Sequence, residues 1–195
     1  MSCRKFNHRK RGHKQCAFTL VELMVGITVI SILAIITLPN LNRFIVDLRV
    51  EGEISKLHRL LLTARNASIN SGQNVVICPV VSGTCTDDWT KEITVFVDIN
   101  RNNSLNLPNE EVVKVKSASN NKDKFQYTGG AFLTYNALGN LVNNNIASLF
   151  RYCPEGFSKA SKGIIVSPSG RAYISQDQNG DGIDEDRANN NIKCS

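Results

Sequence analysis

An acidic loop near the end of the chain has residue types and a spacing that suit a hard metal ion. Asp177, Asn179 and Asp181 alternate along it and are followed by Gly182 and Ile183. Calcium-binding loops use side-chain oxygens at positions one, three and five, a glycine at position six and a backbone carbonyl at position seven. The spacing therefore predicts a calcium site, with a solvated polar turn as the alternative.

The same loop lacks the glutamate that usually closes a calcium site. Position twelve, which normally supplies two carboxylate oxygens, is Ala188. Asp184 and Asp186 are the carboxylates that we expect to substitute for it. A second polar segment, residues 98–102, has a similar alternation but is followed by Asn103 where a glycine is needed, so it is the poorer candidate.

Chemistry on a substrate has little support in the sequence. His58 is the one histidine beyond residue 17, which argues against a catalytic or zinc site built from histidines. The chain contains no G-x-S-x-G, H-E-x-x-H, phosphate-binding loop or C-x-x-C motif. We therefore predict that the protein is not an enzyme and has no certain cofactor, with calcium as the one candidate.

Four cysteines follow residue 17, and they are Cys78, Cys85, Cys153 and Cys194. In an exported domain they would form two disulfides, with three possible connectivities. Cys78 and Cys85 bracket a proline and a glycine suited to a chain reversal, which favours a bond between them. Cys153 would then bind Cys194 and fasten the end of the chain to the sheet. Free buried thiols and a zinc site are the alternatives, although the close-pair spacing of zinc sites is absent.

A basic leader precedes a long apolar run. Six of the 23 Lys and Arg residues lie in residues 1–17 with no acidic residue, which leaves 17 basic against 17 acidic residues beyond them. The formal charge of +6 thus comes from the leader, and without it the bulk electrostatic reason to expect DNA disappears. As a helix, the 21 residues of 18–38 would span about 31 Å, close to the thickness of a bilayer core.

These features predict a membrane-anchored, exported protein. Positive charge before the apolar run keeps the N-terminus in the cytoplasm, and no small-x-small cleavage site follows the run, so residues 18–39 should remain as a transmembrane helix half. Glu22 is the one charge inside the run. It either reaches the headgroup level or has a partner.

Beyond Pro39 the pattern predicts an amphipathic helix half over residues 40–72. Gly72 suits the position just after the helix end, and Pro39 and Gly52 are positions where the helix could bend. The apolar positions recur every three or four residues and are Leu41, Phe44, Ile45, Leu48, Ile54, Leu57, Leu61, Ala64 and Ala67.

Residues 73–195 predict a β-rich exported head. Short β-rich runs separated by polar turns occur at residues 74–78, 93–97, 111–116, 132–136, 148–153, 163–166 and 171–175. Strands without intervening helices favour an antiparallel sheet. The predicted fold class is α+β, with the exported half of the helix packed on this sheet.

The segment Ala17-Phe18-Thr19-Leu20-Val21-Glu22 resembles the class III signal of type IV pilins and pseudopilins. The resemblance implies cleavage between Ala17 and Phe18 by a prepilin peptidase and N-methylation of Phe18. It also implies a role for Glu22 in assembly, since Glu22 becomes the fifth mature residue, and a helix kink at Pro39, which becomes the twenty-second. The sequence departs from the family in having Ala17 where glycine is usual and in its long leader.

The rest of the chain is similar to the GspH/FimT group of minor pilins and pseudopilins. The segments that carry the similarity are LLLTARNASINSGQNVVICPV, VFVDINRNN and VSPSGRAYIS. The resemblance implies a structural subunit of the inner membrane, assembled with other pilins by a membrane platform into a type IV pilus or a type II secretion pseudopilus. In such a bundle Glu22 would pair with the amine of a neighbouring Phe18, because an unpaired buried carboxylate is unfavourable.

DNA binding is the alternative function that the resemblance raises. Some FimT-type pilins bind DNA through a Gly-Arg-x-Arg motif, and the matching stretch here is Gly170-Arg171-Ala172-Tyr173. Arg171 is retained, but Tyr173 replaces the second arginine, and several acidic residues follow. We therefore expect an assembly subunit in preference to a DNA receptor.

Overall fold

A computed structural model describes residues 18–142 and 146–194, and the side chains of residues 36–40 lie outside the description. The predicted leader, and with it Ala17, also lies outside the described residues. The chain divides into two compact units, Met1–Phe44 and Ile45–Ser195.

Helix α1 runs from Leu20 to Ser71. It ends where the sequence predicts, because Gly72 adopts a φ of +67° and its N–H donates to the carbonyl of Ser68 at 3.0 Å. The bends predicted at Pro39 and Gly52 stay predictions. The side chain of Pro39 also lies outside the described part of the structure.

In the first unit, the large apolar side chains of the residues from 18 to 35 are exposed. Phe18 is 77% exposed and Ile35 is 74% exposed, and the large apolar side chains between them are exposed as well. A search of the described residues finds no helix that combines the length and the hydropathy needed to cross a membrane. The transmembrane assignment of residues 18–39 remains a prediction, and the side chains of residues 36–39 within it are not described.

In the second unit, α1 buries one face against the sheets. At its start, the buried face of α1 is not the one that the sequence predicts. Ile45 and Leu48, which were predicted to face the sheet, are exposed, whereas Val46 and Val50 are buried. The helix carries apolar residues on two faces here, and the sheets cover only the face of Val46 and Val50. From there the buried positions recur at Ile54, Leu57, Leu60, Leu61 and Ala64.

Nine strands follow the helix within the described residues, two more than the sequence predicts. They are β1 (Asn74–Val81), β2 (Thr84–Cys85), β3 (Ile93–Asp98), β4 (Val112–Lys116), β5 (Lys124–Tyr127), β6 (Leu133–Tyr135), β7 (Ser148–Cys153), β8 (Lys162–Val166) and β9 (Ala172–Ile174). The sequence did not predict β2 and β5: β2 has only two residues, and β5 alternates polar and apolar residues over only four.

The strands form two antiparallel sheets where the sequence led us to expect one. The first has the order β2-β1-β3-β4, with β6 also paired to β1, and the second has the order β5-β7-β8-β9. Both sheets pack with α1 around one core, in which Trp89 lies edge-on to Tyr127 and Phe150 at ring-centre distances of 5.0 Å. A long helix with antiparallel sheets confirms the predicted α+β class.

Candidate assembly site and metal-ion site

The start of α1 holds Glu22 in a capping box that the sequence analysis missed. Thr19 precedes the first helical residue, and its Oγ1 accepts the Glu22 N–H at 3.2 Å. In return, Glu22 Oε2 accepts the Thr19 N–H and hydroxyl at 3.4 Å each. The signal was the Thr-x-x-Glu spacing. Both returning bonds are long and exposed, so the carboxylate is free to exchange them for a stronger partner.

A buried carboxylate, Asp123, joins α1 to the second sheet. The Arg49 Nε lies 3.0 Å from Asp123 Oδ2, and Arg49 Nη2 donates to Asp123 Oδ1 at 3.1 Å. Tyr152 on β7 donates its hydroxyl to Oδ2 at 2.5 Å, and the Glu155 N–H donates to Oδ1 at 3.0 Å. Burial, reinforced by Asp123, raises the pKa of Tyr152 well above its usual range, so its proton stays in place.

A second ion-pair network joins α1 to the first sheet. Glu53 Oε2 lies 2.6 Å from the Nζ of Lys116 on β4 and accepts from Ser119 at 3.1 Å, while Oε1 accepts from Lys56 at 2.8 Å. Burial alone would raise the pKa of Glu53, but the lysine hydrogen bonds hold it below its usual 4.5. Its stabilising contribution is therefore complete above the unfolded pKa and is lost as the pH falls through the lowered folded value.

Arg65, near the end of α1, joins the helix to two turns of the head through hydrogen bonds to their backbone carbonyls. Its Nε donates to the Gly139 carbonyl and its Nη2 donates to the Ser169 carbonyl, both at 3.0 Å. Gly170 lies so close to Gly139 that a Cβ at position 170 would stand 1.8 Å from the Gly139 oxygen. Gly170 also has a φ of +76°, so glycine is needed here for two independent reasons.

The structure joins the cysteines in the pairs that their spacing favours. Cys78 on β1 is bonded to Cys85 on β2, and Cys153 on β7 is bonded to Cys194, which lies 41 residues later in the chain. The second bond fastens the end of the chain to the second sheet. A zinc site that used all four cysteines would need these thiols free.

Two of the predicted metal ligands, Asp177 and Asp181, lie together with Glu185. Ligand oxygens from these three carboxylates lie within 4.8 Å of one another. Asp177 accepts the N–H groups of Gly180 at 2.7 Å and Gly182 at 2.9 Å. The bond from Gly182 is the largest cause that lowers the pKa of Asp177 below its usual value.

The expected substitutes for the closing ligand, Asp184 and Asp186, have other partners in this structure and lie outside the cluster of Asp177, Asp181 and Glu185. Asp184 accepts from the Ser175 hydroxyl at 2.7 Å and lies 3.4 Å from Lys162 Nζ. Asp186 accepts the Ala188 N–H at 2.8 Å and the N–H groups of Asn190.

The alternation of an extended chain explains why Glu185 and not Asp184 or Asp186 faces the cluster. A bridge to Gln176 keeps the chain around Glu185 extended, so adjacent side chains point to opposite sides. Glu185 occupies position nine of the loop and points inward, whereas its two neighbours point away from the cluster. The signal for Glu185 in the sequence was the continued spacing of two after Asp181 and Ile183.

The residues considered for DNA lie on β9 and the turn before it. Arg171 is exposed, but the guanidinium of Arg187 lies 3.4 Å from the centre of the Tyr173 ring. One face of Tyr173 is therefore already covered by a cation. His58 contacts the Ala172 carbonyl at 3.3 Å through Nε2 and lines the same cleft of about 450 Å³ as Tyr173.

Comparisons with known proteins agree with this architecture. The family model described as type II transport protein GspH matches residues 53–170, and the model described as the prokaryotic N-terminal methylation motif matches residues 12–38. No curated protein sequence matches the chain.

Solved structures of two other proteins match part of this chain. The type IV minor pilin FimU of Pseudomonas aeruginosa PAO1, in two crystal forms, has TM-scores of 0.53 and 0.52 at 16% identity, over 65% of this chain and 88% and 92% of the pilin chain. The minor pseudopilin EpsH of the Vibrio cholerae type 2 secretion system has a TM-score of 0.47 at 12% identity, over 65% of this chain and 95% of its own. The likeness to FimU shows a shared arrangement of one long N-terminal helix on antiparallel sheets.

Proposed function

We propose that this chain, which belongs to the GspH family, acts as an assembly subunit whose helix enters a fibre while its head remains outside the helix bundle. Its family and its N-terminal methylation motif identify it as a minor pilin or pseudopilin of a type IV pilus or a type II secretion system. Such proteins are structural, so the chain is not an enzyme. The family also implies assembly with other pilins and processing by a prepilin peptidase.

One observation carries the proposal: the methylation motif opens a helix whose large apolar side chains, in the part that the structure describes, are exposed. Leu20, Leu23, Ile27 and Ile30 are each more than half exposed. Apolar side chains at this density are stable in lipid or among other apolar helices. A subunit that moves from a membrane into a helical bundle meets both environments in turn.

We place the unprocessed precursor in the inner membrane, with the leader in the cytoplasm and the β-rich head in the periplasm. The basic leader supports this orientation, since Lys and Arg residues are retained on the cytoplasmic side. The two disulfides support an oxidising environment for the head, because such bonds persist in the periplasm.

Processing at Ala17 provides the direct test of this function. We expect intact-mass measurement of sheared fibres or of membrane extracts to show a chain that begins at N-methylated Phe18. A bulky residue at position 17, as in Ala17→Leu, should leave the precursor uncut, whereas Ala17→Gly should be processed at least as well as the wild type. Fibres that contain the protein with residues 1–17 attached would contradict the proposal.

DNA uptake is the weaker candidate for the head. Non-specific DNA affinity comes from neutralised phosphates. The sequence after Arg171 adds negative charge, because Asp177, Asp181 and Glu185 follow within 14 residues and form one cluster. In place of a second arginine, the chain has Tyr173, which is stacked under Arg187.

We therefore expect no mobility shift of double-stranded DNA at micromolar protein and physiological salt. The matched variant is Arg171→Ala, which should behave like the wild type. A shift that weakens steeply with added salt and disappears in Arg171→Ala would instead establish a DNA-binding pilin.

A further inference from the structure

We propose that Asp177, Asp181 and Glu185 bind a divalent cation of the calcium type, with Glu185 as the ligand that closes the site. Their oxygens already lie within 4.8 Å of one another, which is the separation expected for ligands around one ion. This inference goes beyond assembly, because it assigns a metal site to the head.

The observation that points to a ligand is the state of Glu185. The residue is only 2% exposed, and its Oε2 accepts the Gln178 N–H at 2.8 Å. Its Oε1 is buried and has no hydrogen-bond partner. A buried carboxylate oxygen without a partner is strongly unfavourable, and a bound cation would supply the missing interaction.

The remaining ligands follow from the register of the loop. Asp177, Asp181 and Glu185 occupy positions one, five and nine. Asn179 and Ile183 occupy the positions between them, three and seven. In loops of this spacing, position three supplies a side-chain oxygen and position seven supplies a backbone carbonyl. The amide hydrogen bonds to Asp177 occupy only part of its acceptor capacity, because an ionised carboxylate has about four lone-pair sites.

The second polar loop, at residues 98–102, is an internal comparison. Asp98 receives the N–H groups of Asn102 and Asn103, one on each carboxylate oxygen. Glu110 receives those of Ile99 and Asn106 in the same way. Both oxygens of Asp98, in the loop, and of Glu110, which follows it, therefore have protein partners. The orphaned oxygen of Glu185 distinguishes the C-terminal loop from a loop that satisfies itself.

Calcium suits this site better than magnesium. Calcium accepts six to eight oxygens in adaptable geometry, whereas magnesium needs a near-ideal octahedron and retains its waters. The three carboxylates come from a loop of irregular backbone, which favours the adaptable ion.

Two measurements on the purified full chain in detergent test the proposal. Calorimetry during a calcium titration gives the dissociation constant, and thermal melts with calcium or chelator give the change in melting temperature. We expect binding with a dissociation constant on the order of 10⁻⁴–10⁻³ M, as in extracellular calcium modules. About 10 mM calcium should then raise the melting temperature by roughly 3–10 °C over chelator, because an ion that binds only the folded state stabilises it. The same concentration of magnesium should give a much smaller rise.

Three variants decide the ligand assignment. Glu185→Gln should weaken calcium binding at least tenfold, and so should Asp181→Asn, an exposed position at which misfolding is not expected. The matched control is Asp186→Asn, in the same loop, which should bind like the wild type.

Three results would overturn the proposal. The first is a wild-type melting temperature that calcium does not change. The second is wild-type calcium affinity in both Glu185→Gln and Asp181→Asn. The third is a loss of calcium affinity in Asp186→Asn as large as the loss in Glu185→Gln. If Glu185→Gln does not fold, the wild-type melts and Asp181→Asn decide the question alone.

Discussion

Replacing Glu22 with alanine is expected to leave the protein in the membrane while reducing its entry into fibres by roughly tenfold or more. Removing a charge from an apolar segment makes membrane insertion easier, so the yield of membrane-extracted protein should not fall. In the bundle, however, the amine of a neighbouring Phe18 would lose its counter-charge. The measurement is the ratio of this protein in sheared fibres to that in membranes, by immunoblot.

The capping box at the helix start allows the charge to be separated from the local structure. Glu22→Gln keeps an oxygen that can accept the Thr19 N–H but removes the charge, so it should be nearly as defective as Glu22→Ala. Thr19→Ala removes the cap and keeps the carboxylate, and it should reduce assembly only slightly. The reverse order, with Thr19→Ala defective and Glu22→Gln normal, would make Glu22 a capping residue without a role in charge pairing.

The parts of this fold that the sequence predicts are those determined by the types and spacing of residues close together in the chain. The helix end at Gly72, seven of the nine described strands and the cysteine pairs all follow from spacing within a few residues or from elimination. The buried face of α1 near residue 45 was not predictable in this way. Apolar residues occupy two sides of the helix there, and only the position of the sheets decides that Val46 is covered and Ile45 is not.

The contacts that organise the head join residues far apart in the chain, so local spacing could not reveal them. Arg49 and Asp123 are 74 residues apart, and so are Arg65 and Gly139. Taken alone, Arg49, Asp123 and Arg65 look like ordinary surface charges, and Gly139 contributes only its backbone carbonyl. Glu185 was missed for a different reason: three acidic residues in succession leave the inward one undetermined until a bridge to Gln176 sets the alternation.

The second large effect is expected at Asp123, which has a fully buried side chain and neutralises Arg49 beneath the second sheet. Asp123→Ala would leave the Arg49 guanidinium, the Tyr152 hydroxyl and the Glu155 N–H without their acceptor. Loss of one partner from a buried ion pair typically lowers the free energy of unfolding by about 3–5 kcal/mol. Because the Arg49 side chain is 33% exposed and water can solvate it in part, we expect the lower end, about 3 kcal/mol.

Thermal melts followed by circular dichroism should therefore show Asp123→Ala unfolding roughly 6–12 °C below the wild type. Tyr152→Phe removes one hydrogen bond from the same carboxylate and should lower the free energy of unfolding by about 1–2 kcal/mol, which sets a scale within the cluster. The control is Asp88→Ala, at an exposed carboxylate whose Oδ2 lies 3.9 Å from Lys91 Nζ and whose Oδ1 accepts the Thr90 N–H, and it should shift the melt by only about 1–4 °C. Equal melting temperatures for Asp123→Ala and Asp88→Ala would mean that the joint between α1 and the second sheet depends on apolar packing alone, and that the buried charges of Arg49 and Asp123 add nothing to it.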